Sequence, residues 1–199
     1  MKLTRSEAIK LLNESKGMAE NDNWIKHSIC VGDTAAKIAE EIGLDKEKTM
    51  VLGYIHDIGK RNGYGIEIAP HDMDGYEYIK GLGYDEEYAN ICLTHSYLNN
   101  DINCIAGGIP NVNGYKYDFR KQFIENHEYT IYEKLINLSD LMCTTKTLTL
   151  EKRLIDLITR KGVHKNTIYH IKEAQKLKSE IDGMLGHNIY ELFSDILYN

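Results

Sequence analysis

Residues 54–60 read YIHDIGK, which sets His56 and Asp57, both potential metal ligands, side by side in a largely apolar run. Burying an ionisable group in such surroundings is costly unless the group is paired or bound to a metal. Neighbouring residues on a helix project about 100° apart, so both side chains can meet one ion placed beside the helix. The same puzzle recurs elsewhere in the chain. Asp140 lies in LINLSDLM, a carboxylate surrounded by apolar residues, and His27 lies early in another helical segment. His95 shares a face with Tyr88, Ile91 and Cys92, so it points inward. His71 follows Pro70 at a helix start, a position fixed by the proline ring.

Together these are four histidines and two aspartates, nitrogen and oxygen donors without a thiolate. Such a mix suits iron, manganese, cobalt, nickel or zinc better than an all-oxygen magnesium site. Six side chains exceed the needs of one catalytic ion that must keep open positions. Two ions bridged by Asp57, roughly 3.5 to 4 Å apart, would use them more naturally. Each residue alone has a plainer reading: His27 as a satisfied core histidine, His71 as a capping or loop residue, Asp140 as a partner for Lys or Arg. Their occurrence as polar exceptions on apolar faces of separate helices favours the metal.

Lys60 follows Asp57 by one turn and can reach over the same site to neutralise a phosphate. Its plainer role is a helix-terminal cation favoured by the dipole. Arg61 and Arg153 are further candidates for phosphate contact and otherwise ordinary surface charges. His127, His164, His170 and His187 lie on polar stretches and carry no expected role.

The elements that must position these residues read as helical throughout, with only Pro70 and Pro110 interrupting the spacing. The prediction is an all-α bundle with helices over 4–15, from the NDN cluster at 21–23 to Gly43, and over 46–60, 72–80 and 85–98. Leu3, Leu11 and Leu12 are core candidates of the first helix, and Asp45 caps the third. The 46–60 helix is apolar around most of its circumference and belongs at the centre, as does TIYEKLINLSDLMCT. RNGYGIEIAP is a loop, and 99–117, rich in Gly and Asn, is a long loop able to cover a pocket. Tyr115 and Tyr117 on it read as surface or packed tyrosines, with base stacking as the alternative. The segments after 150 are more amphipathic and more charged. One domain, 1–199, is expected, with a metal-binding core over 22–145 and peripheral helices over 150–199.

Net charge of −6 argues against long nucleic acid as partner, since phosphate neutralisation needs a surplus of Lys and Arg on some face. A small anionic ligand remains compatible with a locally positive pocket. The four cysteines show no C-x-x-C pair and read as reduced thiols. The N-terminus lacks the apolar block of a signal peptide, and no stretch approaches the length of a membrane span. A cytoplasmic protein, possible as a homo-oligomer and without membrane contact, is the expectation.

The ordered set H…HD…H…H…D resembles the signature of the HD-domain superfamily over residues 22–145. The match is carried by HSICVGDTAAKIAEEIG from His27, LGYIHDIGK around His56 and Asp57, and LINLSDLM around Asp140. The resemblance implies an HD-domain-like helical bundle that binds divalent metal and hydrolyses phosphate esters or anhydrides, often of nucleotides. It further implies that His27, His56, Asp57 and Asp140 form a first metal site, and that His71 and His95 match the extra histidines of the binuclear subgroup. In length and in the phrase from His27 to Lys60 the chain is similar to small stand-alone bacterial dinucleotide hydrolases. It departs from them at APHD and SYLNND. A metal-dependent phosphohydrolase is therefore expected, with Asp57 and Lys60 catalytic and Lys60 and Arg61 binding a small, nucleotide-like phosphorylated substrate. Two alternatives stay open: a binuclear-iron oxygenase with the same ligands, and a non-catalytic metal-dependent ligand-binding module.

Overall fold

Helix starts follow from local chemistry. Thr4 with Glu7 and Thr130 with Glu133 each close a reciprocal capping box, and Asp45 and Thr149 accept from the backbone N–H three residues on. The computed structural model describes residues 1–63 and 70–198. Its elements are α1 (Arg5–Glu14), α2 (Asn23–Glu41), α3 (Lys46–Ile55), a 3-10 turn (Ile58–Asn62), α4 (His71–Gly81), α5 (Glu86–Thr94) and α6 (Tyr117–Asn126). They continue with α7 (Ile131–Asp140), α8 (Leu150–Lys161), α9 (Thr167–Leu185) and a second 3-10 turn (Ile189–Leu192). Among the described residues there is no strand, only isolated bridges pairing Tyr97 with Ile105 and Cys143 with Thr147. The protein is all-α, as its periodicity indicated. Most of the predicted RNGYGIEIAP loop lies outside the described residues.

Two predicted helices end early, and both ends matter. The helix expected over 46–60 stops at Ile55, His56 caps it, and the chain then tightens into the 3-10 turn. The helix expected over 85–98 stops at Thr94, with His95 as its cap. Helix C-termini leave carbonyls without an N–H partner. Here the two imidazoles supply one: His56 Nδ1 donates to Gly53 O at 2.6 Å, and His95 Nδ1 donates to Cys92 O at 2.9 Å. Asp140 is the last residue of α7.

The core forms two apolar clusters. One joins Leu3, Leu11 and Leu12 of the N-terminal segment with Trp24, Val31, Leu52, Ile55, Met73, Ile91 and Ile136. The other joins Ile38, Leu135 and Leu138 with Leu150, Leu154, Ala174 and Ile181 of α8 and α9. Helices α2 and α7 contribute to both clusters, which makes them the shared walls and leaves His27 and Asp140 on them part-buried.

Close backbone approaches set the separation of the site helices. A Cβ on Gly53 would stand 2.4 Å from Gly32 Cα, so α2 and α3 touch backbone to backbone. A Cβ on Gly59 would stand 2.0 Å from the carbonyl oxygen of His71, which is how the 3-10 turn and the start of α4 meet. Gly53→Ala should therefore push α2 from α3 and destabilise the fold by about 2–3 kcal/mol, the upper part of the overpacking range. Urea unfolding measures the loss. The same substitution should weaken metal binding, because it separates His27 from His56.

Candidate metal centre

Five side chains, His27, His56, His71, His95 and Asp140, gather around Asp57. On one side, His27 Nε2 lies 3.7 Å and His56 Nε2 3.5 Å from Asp57 Oδ2. Asp140 Oδ1 completes this group, 2.8 Å from His27 Nε2 and 4.0 Å from His56 Nε2. On the other side, His71 Nε2 and His95 Nε2 lie 3.3 and 3.4 Å from Asp57 Oδ1 and 3.2 Å from each other. One carboxylate thus offers a different oxygen to each of two donor groups.

The donors suit divalent metal. Ligands bound at about 2.1 Å to one ion, at tetrahedral or octahedral angles, stand roughly 3 to 3.5 Å apart, close to the separations found. His27 Nδ1 donates to Thr144 O at 3.0 Å, as the Nδ1 atoms of His56 and His95 donate to carbonyls. A neutral imidazole with its proton on Nδ1 presents an Nε2 lone pair, so the inward atom of His56 is an acceptor facing the carboxylate acceptor of Asp57. A cation resolves that opposition. His56 Nε2 and Asp57 Oδ1 are buried with no hydrogen-bond partner. These orphaned atoms are what a metal would satisfy. The C-terminal ends of α3, α5 and α7 meet here, and the partial negative charge of helix C-termini favours a cation.

Electrostatics follow the same geometry. Burial holds His56 down at about 4. Burial first, then the Lys60 ammonium, holds His71 at about 3. Both rings are therefore neutral donors at neutral pH. Burial pushes Asp57 up, but Lys60, foremost among its cationic and hydrogen-bonding neighbours, holds it well below the usual carboxylate range. Burial pushes Asp140 up as well, and its hydrogen bond with His27 holds it below the usual carboxylate range. For His27 the burial penalty is outweighed by Asp140, and its pKa is raised.

The 3-10 turn decides where the following cations go. With three residues per turn, positions i and i+3 eclipse, and Lys60 Nζ folds back onto Asp57 Oδ2. Arg61, expected beside the phosphate, is turned away and stacks on Tyr78, its Cζ 4.1 Å from the ring centroid. It is not among the described residues lining the cavity over the centre. That cavity, of about 700 Å³, is lined by His27, Lys60, His71, His95 and Asp140 together with Trp24, Leu98, Leu141 and Leu157. Ile105, Ala106 and Gly107 of the long 99–117 loop also line it; Tyr115 and Tyr117 do not. Tyr115 instead faces Glu77, as does Lys116.

Helix α8, read as peripheral, supplies Arg153, Asp156, Arg160 and Lys161 to the cavity wall. Arg153 was among the expected phosphate contacts; Arg160 and Lys161 were not, because cations on the polar side of an amphipathic helix look like solvated surface. His170 of α9 was read as polar surface and is buried, 4% exposed, against the same cavity. Burial lowers its pKa to about 4. The unfolded chain, with His near 6.5, takes up the proton first on acidification. The stability contribution of neutral His170 is therefore complete above about pH 6.5 and lost as pH falls towards 4. A His170→Asn variant should lose less stability than the parent between pH 7 and 4.5, as read by urea midpoints.

Residues 24–158 match the HD domain family. The match spans more than half of the chain, and the chain belongs to that family, whose members bind divalent metals and form a metal-dependent phosphohydrolase superfamily. It is similar to Ribonuclease Y of Pseudothermotoga lettingae, 37% identical over 90 residues that cover 45% of this chain and 18% of that protein. Ribonuclease Y of Thermosipho melanesiensis is 36% identical over 90 residues, again 45% of this chain and 18% of the relative. Ribonuclease Y of Oleidesulfovibrio alaskensis is 26% identical over 125 residues, 61% of this chain and 24% of the relative. The chain thus spans less than a quarter of the length of these relatives. No solved structure matches significantly. No helix of the described residues is long and apolar enough to cross a membrane.

Proposed function

We propose that the chain is a hydrolase of phosphate ester or anhydride bonds in a small substrate, a nucleotide, using two divalent transition-metal ions. The observation that carries this reading is the split of Asp57, one oxygen towards His27 and His56 and the other towards His71 and His95. A pair of divalent ions there supplies charge stabilisation at phosphorus and a water acidic enough to attack it at neutral pH. Asp57 holds the two donor groups in register, and the backbone-tethered Nδ1 atoms of His27, His56 and His95 fix the ring orientations. The oxygen of Asp57 that Lys60 holds is the one facing His27 and His56, so Lys60 and a metal compete for it. Were a metal held by His27, His56, Asp57 and Asp140, the Lys60 ammonium would be placed to meet the substrate phosphate beside them.

The cations lining the cavity support an anionic substrate, which favours hydrolysis over oxygenation. The name Ribonuclease Y supports phosphodiester bonds as one class to test, whereas the net charge of −6 supports a short substrate over a long one. The test is phosphate or nucleotide release from p-nitrophenyl phosphate, mono-, di- and cyclic nucleotides and a short RNA by manganese- or iron-loaded protein. Release that stops on chelation and returns with metal is expected. No release from any of these compounds would overturn the proposal.

A further inference from the structure

Resting on the hydrolase reading, we infer that the α8 wall is a second anion subsite, with Lys161 as its specificity residue, and that the substrate carries a second phosphoryl group beyond the scissile one. Lys161 is the last residue of α8 and leans across to the 99–117 loop, its Nζ 3.6 Å from where a Cβ on Gly107 would stand. It makes no hydrogen bond or ion pair among the described residues. The residue is exposed, yet its place in the cavity wall beside the Lys60 ammonium lowers its pKa through partial desolvation first and Lys60 second. Two ammonium groups are thus gathered at one cavity, but only Lys60 has a carboxylate, Asp57, against it. Holding like charges together is unfavourable, and an anion between or beside them relieves it.

The neighbouring groups are also donors in excess. Asp156 is shared by Arg153 and Arg160, accepting from Arg160 Nε at 2.9 Å and Nη2 at 2.8 Å. Arg153 has only 11% of its side chain exposed, and its Nε is buried without an acceptor. Trp24, also lining the cavity, has its Nε1 buried without an acceptor. Arg153, Arg160 and Lys161 set against Asp156 leave this wall with a surplus of two positive charges. One phosphoryl group is consumed at Asp57 and Lys60, and a cavity of about 700 Å³ has room beyond it. A nucleoside monophosphate would leave the α8 cations unanswered; a nucleoside diphosphate would fill both positions.

Calorimetric titration of the metal-loaded full chain with adenosine 5′-monophosphate and with the non-hydrolysable α,β-methylene analogue of adenosine 5′-diphosphate tests this. The parent should bind the diphosphate analogue at least about tenfold more tightly, the worth of one charge-assisted contact. In Lys161→Ala the ratio should fall to within about twofold, Lys161→Arg should restore most of it, and Lys176→Ala, on the far face of α9, should keep it. A ratio near one in the parent, or an unchanged ratio in Lys161→Ala, overturns the subsite even if the protein hydrolyses phosphate compounds. A ratio that collapses in a protein with no hydrolytic activity upholds the subsite and overturns the hydrolase.

Discussion

Asp57→Asn protein should lose hydrolysis of every substrate the parent accepts by at least about 10³-fold, equivalent to roughly 4 kcal/mol of transition-state stabilisation. The reason is geometric. Each oxygen of Asp57 faces a separate set of imidazole nitrogens within 3.3 to 3.7 Å. An amide keeps one weaker acceptor and turns an NH₂ group towards the other set, where it repels a cation and occupies its place. Stability should respond in a way that separates a metal defect from a folding defect. Metal that binds only the folded chain raises Tm by mass action, and this rise should vanish in Asp57→Asn. The metal-free variant should fold, because the amide keeps the shape of the carboxylate and its carbonyl oxygen can still accept from Lys60. Thermal scans with and without manganese, beside turnover, read both effects. A variant that kept its metal-dependent Tm and its turnover would show that Asp57 does not bridge the site.

Arg120→Ala should be the most damaging single change to the fold away from the ligands, costing about 3–5 kcal/mol. Asp72, 2% exposed, begins the turn after His71 and accepts from Arg120 Nε at 3.0 Å, Arg120 Nη2 at 2.6 Å and the Tyr97 hydroxyl at 2.6 Å. Arg120 also donates to the Tyr97 hydroxyl, so three elements meet in one buried polar knot. Burial pushes the Asp72 carboxyl up, and Arg120 is the foremost of the groups that bring it below its ordinary value. Truncating Arg120 leaves that carboxylate buried and uncompensated. Removing both charges should hurt less than removing one. Urea unfolding of Arg120→Ala, Asp72→Asn and the double variant should give a double-mutant loss well below the sum of the singles. A loss under about 1 kcal/mol for Arg120→Ala would mean that the knot contributes little net stability. Since Asp72 adjoins His71, the single variant should also weaken metal binding on the His71 and His95 side.

The sequence by itself determined the helical class and named the six candidate ligands. Apolar periodicity marks which face of a segment is buried, and a His or Asp on that face signals a need for a partner, as at Asp57, His95 and Asp140. The cap at Asp45 and the stop at Gly43 were legible because such residues act on atoms only a few positions away. Periodicity does not report which buried face meets which. Tertiary structure alone decided that α3 and α5 break at His56 and His95, where imidazole and carbonyl compete with continued helix, and that the 3-10 turn sends Lys60 to the site and Arg61 to Tyr78. It alone split the oxygens of Asp57 between two donor groups, through backbone contacts at Gly32, Gly53 and Gly59 that no local pattern encodes. It alone brought Arg160, Lys161 and His170 to the cavity. Cations on an amphipathic helix look the same in sequence whether they face water or a phosphate site, because only the packing of α8 and α9 against α7 closes the space that distinguishes the two.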